Sequence, residues 1–254
     1  MLEHHSSFET PEGDQLLWRY LDVGRYLALL SSSALHFSRI DCFEDKWEGA
    51  YTELSKARLR EVAAKLKTLG VRLGAGLGSN PWMKNTLFAN CWHEADYESA
   101  AMWRLYGEEG FNLALVSTVD KISHALQAEK RYKVFCGRVK YVDYKKDFIA
   151  VGNALTPFLR KRKSFAFEAE VRLLIWNVPV HQKRGKGKVD APTFARHKMS
   201  GLDATVTLPD LLHKVLVSPR APDWYVNVIR EVTAKYGLSP GLVTRSTFNE
   251  GPLR

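Results

Sequence analysis

Between residues 16 and 246 short strand signals and short helix signals follow one another without a βαβ rhythm, and this irregular interleaving constrains the fold more than any other feature. Strict alternation would impose a parallel, doubly wound sheet, whereas helices scattered among strands give an α+β domain. Residues 16–20 form a strand-like run, Asp22 can cap a helix reaching Leu30, and residues 34–37 read as a second strand. Residues 52–69 place Leu59, Val62, Ala63, Leu66 and Leu69 at helical spacing, with Lys56, Arg58, Arg60, Lys65 and Lys67 opposite. Strands follow at 86–92, 111–117 and 132–141, and helices at 98–106, after Thr118, and at 150–159. The strand at 168–176 is the clearest, because Val171, Leu173 and Ile175 alternate with Arg172, Leu174 and Trp176. A strand at 214–218, a helix at 223–236 stopped by Gly237, and a short strand near 242–246 complete the pattern. The expectation is a single α+β domain over 15–248, with mixed and antiparallel split sheets and flanking helices. A disordered polar leader (1–14) would precede it and a tail (249–254) follow.

The 254 residues are 45% hydrophobic and 26% charged, which excludes a disordered or collagen-like polymer and supplies a sizeable core. No apolar run of about 18 residues occurs, so no membrane span is expected. The start lacks the basic and apolar regions of a secretory leader. The three cysteines, Cys42, Cys91 and Cys136, form no CxxC pair, which points to a reducing, cytoplasmic setting and no zinc site. Lysine and arginine number 37 against 28 aspartates and glutamates, a net charge of +9. A positive field concentrates anions, nucleic acid and nucleotide phosphates among them. Much of it gathers at 56–67, 160–163 and 183–188. Gly74, Gly76 and Gly78 alternate, but they follow a helix and lack a GK[ST] ending, so they make a poor phosphate loop.

Polar residues inside apolar strands carry the chemical information, because burying them without partners is costly. Arg19, between Trp18 and Tyr20, needs a carboxylate or a phosphate for its fork; Glu170 or Asp41 could serve as a purely structural partner. Strand alternation puts Glu168, Glu170 and Arg172 on one face, with the carboxylates about 7 Å apart. Such a pair can hold a ribose hydroxyl and stabilise a cationic transition state, or be neutralised by Arg172 and the basic run ahead of it. Asp41, Glu44, Asp45 and Glu48, with His93, could ligate a divalent metal, but no spacing matches a defined metal loop and no metal is expected. In Cys91-Trp92-His93 the cysteine and histidine are too close in sequence for a nucleophile–base pair, so Cys91 reads as core. Trp92, Trp103 and Tyr106 could stack on a nicotinamide or a base, or serve as ordinary core aromatics.

Several blocks resemble one bacterial family. Leu17-Trp18-Arg19-Tyr20, Leu35-His36-Phe37-Ser38 and the stretch 41–49 resemble the opening of domain-of-unknown-function family 2971. Cys91-Trp92-His93, Glu98-Ser99 with Met102-Trp103, Phe167-Glu168-Ala169-Glu170-Val171-Arg172 and Val217-Ser218-Pro219 resemble its later blocks, over residues 16–247. That family is similar to the ADP-ribosyltransferase superfamily, whose members bind NAD in a cleft between two small sheets. One branch carries an arginine on its first strand, a Ser-Thr pair on a middle strand and a Glu-x-Glu later. Arg19, Ser117-Thr118 and Glu168-x-Glu170 occur here in that order, although Val119 stands where the superfamily has a second serine.

The resemblance implies an ADP-ribosyltransferase-like fold with NAD as the cofactor. Arg19 would hold its phosphate or ribose, Ser117 and Thr118 would support the site, and Tyr20, Trp92, His93, Trp103 and Arg172 would complete the NAD contacts. Glu170 would bind the nicotinamide ribose and Glu168 orient the acceptor. The implied activity is mono-ADP-ribosylation of a macromolecule, nucleic acid or protein, in keeping with a toxin or anti-phage defence effector. Two other readings stay open: a non-catalytic nucleic-acid or nucleotide-binding module using the basic segments, and a metal-dependent nuclease built on Asp41, Asp45, Glu48 and His93. Convergence of Arg19, Glu168 and Glu170 on one cleft would favour the transferase; a gathering of the acidic stretch with His93 would favour the nuclease.

Overall fold

Twelve strands and seven α-helices are found in the computed structural model, which describes residues 2–70, 81–106, 110–178 and 199–248. The first half contains β1 (Leu2–Glu3), β2 (Leu16–Asp22), α1 (Val23–Ser32), β3 (Ala34–Arg39), α2 (Glu53–Thr68), α3 (Pro81–Lys84), β4 (Leu87–Glu94), α4 (Ala100–Leu105) and β5 (Asn112–Thr118). Then come α5 (Val119–Ala125), β6 (Val134–Arg138), β7 (Lys140–Val142), β8 (Arg160–Arg162) and β9 (Glu170–Trp176). The chain ends with β10 (Gly201–Thr205), α6 (Leu208–Leu211), β11 (Lys214–Val217), α7 (Asp223–Lys235) and β12 (Val243–Arg245). None of the described helices is long and apolar enough to cross a membrane.

The α+β expectation holds, but the two sheets expected to be separate are joined. A ten-stranded sheet runs β1-β6-β9-β4-β2-β5-β11-β12, with β3 also on β4 and β10 on β3; β7 and β8 form a parallel ribbon apart from it. Within the large sheet only β1–β6 and β11–β12 are parallel. The fork lies at β4. One of its edges pairs with β9 from Leu87 to His93. The other meets β3 at Phe88 and Ala89, then β2 at His93 and Glu94. Between those contacts Asn90, Cys91 and Trp92 face no strand, and the sheet opens.

Local chemistry accounts for the ends of the arms. Asp22 accepts from Arg25 N at 2.7 Å to start α1, and Thr118 accepts from Lys121 N at 3.2 Å to start α5. Val171, Leu173 and Ile175 enter the main core with Leu29, Leu30, Ile122 and Ile229, while Leu174 points to the opposite cluster with Phe158 and Leu159. That alternation is as the sequence predicts. Gly49 has φ +69°, and a Cβ there would lie 2.2 Å from the Phe158 ring, so only glycine lets the chain after Glu48 pass beneath this cluster.

Other expectations fail for identifiable reasons. No helix covers 150–159: Asn153 turns back to Leu155 N at 2.8 Å, Pro157 limits the chain, and only a 3₁₀ turn at Thr156–Leu159 forms. The strand expected over 132–141 breaks at Val139, whose N–H crosses to Glu170 O at 2.8 Å. On α2 only Ser55 and Leu59 are buried; Leu69, expected on the core face, is 74% exposed. The leader is not loose. Leu2–Glu3 pairs with β6, Glu9 O accepts from Arg138 N at 2.7 Å and Gly13 O from Asp120 N at 2.8 Å. Gly74, Gly76 and Gly78, the basic loop 183–188 and the tail 249–254 lie outside the described residues.

Candidate active site

The gap in the sheet is the site. Beside the bare edge of β4 a cavity of about 460 Å³ is bounded by β2, β4, the acidic turn after β3, β8 and the start of β9. Arg19, His93, Glu168 and Glu170 all line it, as do Tyr20 and Trp92. Arg19 reaches across the opening, its Nη1 donating to Cys91 O at 3.2 Å. Neither structural partner weighed for it is used, since Asp41 pairs with Arg39 and Glu170 with Arg172. Among the described residues Arg19 has no salt bridge, and burial lowers its pKa from the ordinary arginine value. An unneutralised guanidinium on a cavity wall is a built receptor for an anion.

The opposite wall is acidic and heavily organised. Arg172, fully buried, forks onto Glu48 (Nη1–Oε2 and Nη2–Oε1, both 2.7 Å) and onto Glu170 (Nε–Oε1 2.7 Å, Nη2–Oε2 3.0 Å), and also donates to Phe158 O at 2.7 Å. Lys161 pairs with Glu168 and lies 3.3 Å from Glu170 Oε2. Burial works against the Glu170 carboxylate, but Arg172 and Lys161 outweigh it and hold the group at about 2. Glu168 goes the other way: its burial exceeds the help from Lys161 and raises it. Glu170 is therefore a permanent anion facing the cavity. Its N–H donates to Tyr141 Oη at 2.8 Å, which pins the start of β9.

The two glutamates meet for a reason other than strand alternation. Glu168 ends a 3₁₀ segment (Lys163–Glu168), Ala169 turns left-handed at φ 37°, and β9 begins at Glu170. The turn gives both carboxylates to Lys161. It also aims Glu168 O at His93 Nδ1, 2.6 Å away, and Ala169 O at Glu94 N, 2.8 Å away.

Other expected contacts do not converge. Ser117 is buried and donates to Leu211 O at 2.6 Å, and Thr118 caps α5; neither lines the cavity. Trp103 packs on the Tyr20 ring and donates to Glu98 at 2.8 Å, behind the wall. Arg172 lies beneath the floor, positioning Glu48 and Glu170 without lining the cavity. Lys161, Arg25 and Phe165 line it without having been singled out for it, and Tyr106, weighed for stacking, lines it too. The basic run 160–163 signalled Lys161, but only as charge.

Three acids of the stretch 41–48 are tied to arginines. Asp41 pairs with Arg39, Asp45 with Arg162 and Glu48 with Arg172, and among the described residues no group of three or more His, Cys, Asp or Glu could hold a metal. Several cations of the described basic segments are likewise paired within the molecule. Lys161, Arg162 and Lys163 pair with Glu168, Asp45 and Asp147, and on α2 Lys56 pairs with Glu53 while Arg58 and Lys65 share Glu61.

A second cavity of about 510 Å³ adjoins the first, bounded by α1, β3, Asn90 and Asp203. The two share Arg19, Leu21, Arg25 and Ser38, so both arginines stand at the waist between them.

No family model matches the chain, and no curated protein does. Among solved structures, Thermus sp. 2.9 DarT in complex with ADP-ribosylated ssDNA aligns at a TM-score of 0.37 and 8% identity, covering 93% of this chain and 100% of that one.

Proposed function

We propose that this chain is an NAD-dependent ADP-ribosyltransferase acting on a macromolecular acceptor, nucleic acid or protein. The observation that carries the reading is the placement of Arg19, a cation with no carboxylate partner among the described residues, across one cavity from Glu168 and Glu170. The cleft thus offers a cation for a phosphate and a fixed anion for a ribose. The paired cavities with arginines at the waist also match a ligand with two nucleoside ends and an anionic middle.

NAD would supply the ADP-ribosyl group, its ribose–nicotinamide bond breaking as the bond to the acceptor forms. Glu170 accepts hydrogen bonds from the ribose hydroxyls and opposes the positive charge that develops on the ring. That charge is met by a carboxylate already fixed by Arg172, so little reorganisation is needed. Arg19 and Arg25 hold the pyrophosphate. Glu168, on the same wall, orients the acceptor group.

Incubation with labelled NAD and cell extract tests this. The expected result is labelled macromolecule from the wild type and a loss of about a hundredfold or more for Glu170→Gln, with the NAD-induced rise in melting temperature seen in the wild type. Absence of both label and thermal shift from the wild type would overturn the reading.

A further inference from the structure

We propose that His93 is the catalytic base that takes the acceptor's proton in the transfer step; the proposal rests on the transferase reading above. Three observations on β4 and its neighbours carry it. First, the ring is oriented. Its Nδ1 lies 2.6 Å from Glu168 O, and a carbonyl only accepts, so Nδ1 carries the hydrogen and Nε2 is left with a bare lone pair.

Second, that lone pair is open to the cleft. His93 is 6% exposed, yet it lines the cavity; among the described residues Nε2 has no hydrogen-bond partner, and it is not among the sealed, unsatisfied atoms. Third, it is in the right place. His93 stands directly opposite Glu170 in the β4–β9 register, so both side chains leave the same face of the sheet beside the ribose site. The Tyr20 ring, 6.3 Å away at 62°, limits how the imidazole can swing.

Glu168 is the competing base, and its chemistry differs. Its Oε2 is engaged by Lys161, so a proton landing there would have to displace an ion pair. His93 has no such commitment. In the step, the C1′–N bond to nicotinamide breaks and the electron pair leaves on the ring nitrogen, turning the pyridinium into neutral nicotinamide. The acceptor's lone pair forms the new bond to C1′, and its proton passes to Nε2, giving an imidazolium beside the Glu170 carboxylate. Atoms and charge balance with no further reactant. The residue that fixes the tautomer is itself part of the site: Glu168 offers its side chain to the acceptor and its carbonyl to His93.

The test compares wild type, His93→Ala and His93→Gln by labelled transfer, by NAD-induced melting shift, and by the ring ¹⁵N spectrum of the unliganded protein. Expected are Nδ1 protonated and Nε2 bare, an NAD shift kept in both variants, transfer reduced about 10²- to 10³-fold, and recovery of His93→Ala with added imidazole. Transfer within about threefold of wild type, or failure of imidazole to restore it, overturns the proposal. So does loss of the NAD shift in both variants, which would make His93 only a wall of the pocket, and so does a spectrum with Nε2 protonated. Wild type that neither shifts with NAD nor transfers label removes the transferase reading, and this proposal with it.

Discussion

Arg19 and Arg172 lie on neighbouring arms of one sheet and serve opposite ends. Arg172 is fully buried and its donors are taken up by Glu48, Glu170 and Phe158 O; it builds the acidic wall. Arg19 makes one hydrogen bond, to Cys91 O, and keeps the rest of its guanidinium for a ligand. A half-buried cation without a counter-charge costs stability that only a bound anion returns. Arg19→Met should therefore leave the melting temperature of the free protein unchanged or raise it by about 2–4 °C, equivalent to about 1 kcal/mol in a chain this size, while abolishing the shift produced by NAD. A fall in the free protein's melting temperature beyond that range would mean Arg19 is a structural residue. The sequence flagged both arginines for the same reason, a charge inside an apolar strand. Which was structural depended on Glu48, 124 positions away from Arg172, and no local pattern carries that information.

At the scale of elements, β4, β5, β9, α1, α5 and α7 were legible, because a full apolar period with a cap or a glycine stop leaves little choice. Two short pieces were not. Gly201–Thr205 and Leu208–Leu211 are too brief to show a period, and both owe their form to partners, β3 for the first and α5 for the second. The start of β9 shows how two carboxylates can come together as expected although the strand was read too long. Alternation puts Glu168 and Glu170 on one face, whereas the chain brings them together through Ala169 in the left-handed region. That conformation is unfavourable for alanine and free of steric penalty for glycine. Ala169→Gly should raise stability by about 0.5–1 kcal/mol, read as a higher urea midpoint at unchanged slope, and should keep transfer activity. Ala169→Val, β-branched and forced into the same φ, should lower both. Equal midpoints for the three proteins would show that the turn carries no strain.

At the scale of the whole molecule, the net charge of +9 was the least local feature and the one the structure changes most. The run 160–163 lies against the strand with the glutamates, as its position suggested, but Lys161 and Arg162 are paired with Glu168 and Asp45 of the cavity wall, and Lys163 with Asp147 away from it. The cation left without a carboxylate at the cavity is Arg19, from a segment with no obvious basic pattern; Arg25 beside it pairs with Asp22 at 3.5 Å. Their position follows from the fork: β2 and β3 leave β4 at different heights, and both cavities beside that opening are lined by the two arginines. A mononucleotide could use one cavity and the waist, but a dinucleotide uses both cavities with its pyrophosphate between them. Linking two weak contacts in one molecule makes the second intramolecular and multiplies affinity. NAD should thus raise the melting temperature far more than AMP or nicotinamide mononucleotide at the same concentration. If its affinity is about a hundredfold higher, saturating NAD adds about 2.7 kcal/mol at a concentration where either half adds less than 0.5. Arg19→Met should abolish the NAD shift and the smaller shifts of its halves, because the phosphate contact at Arg19 is the one part all three ligands would share. Should AMP alone match NAD, the second cavity is idle and the cleft belongs to a mononucleotide binder.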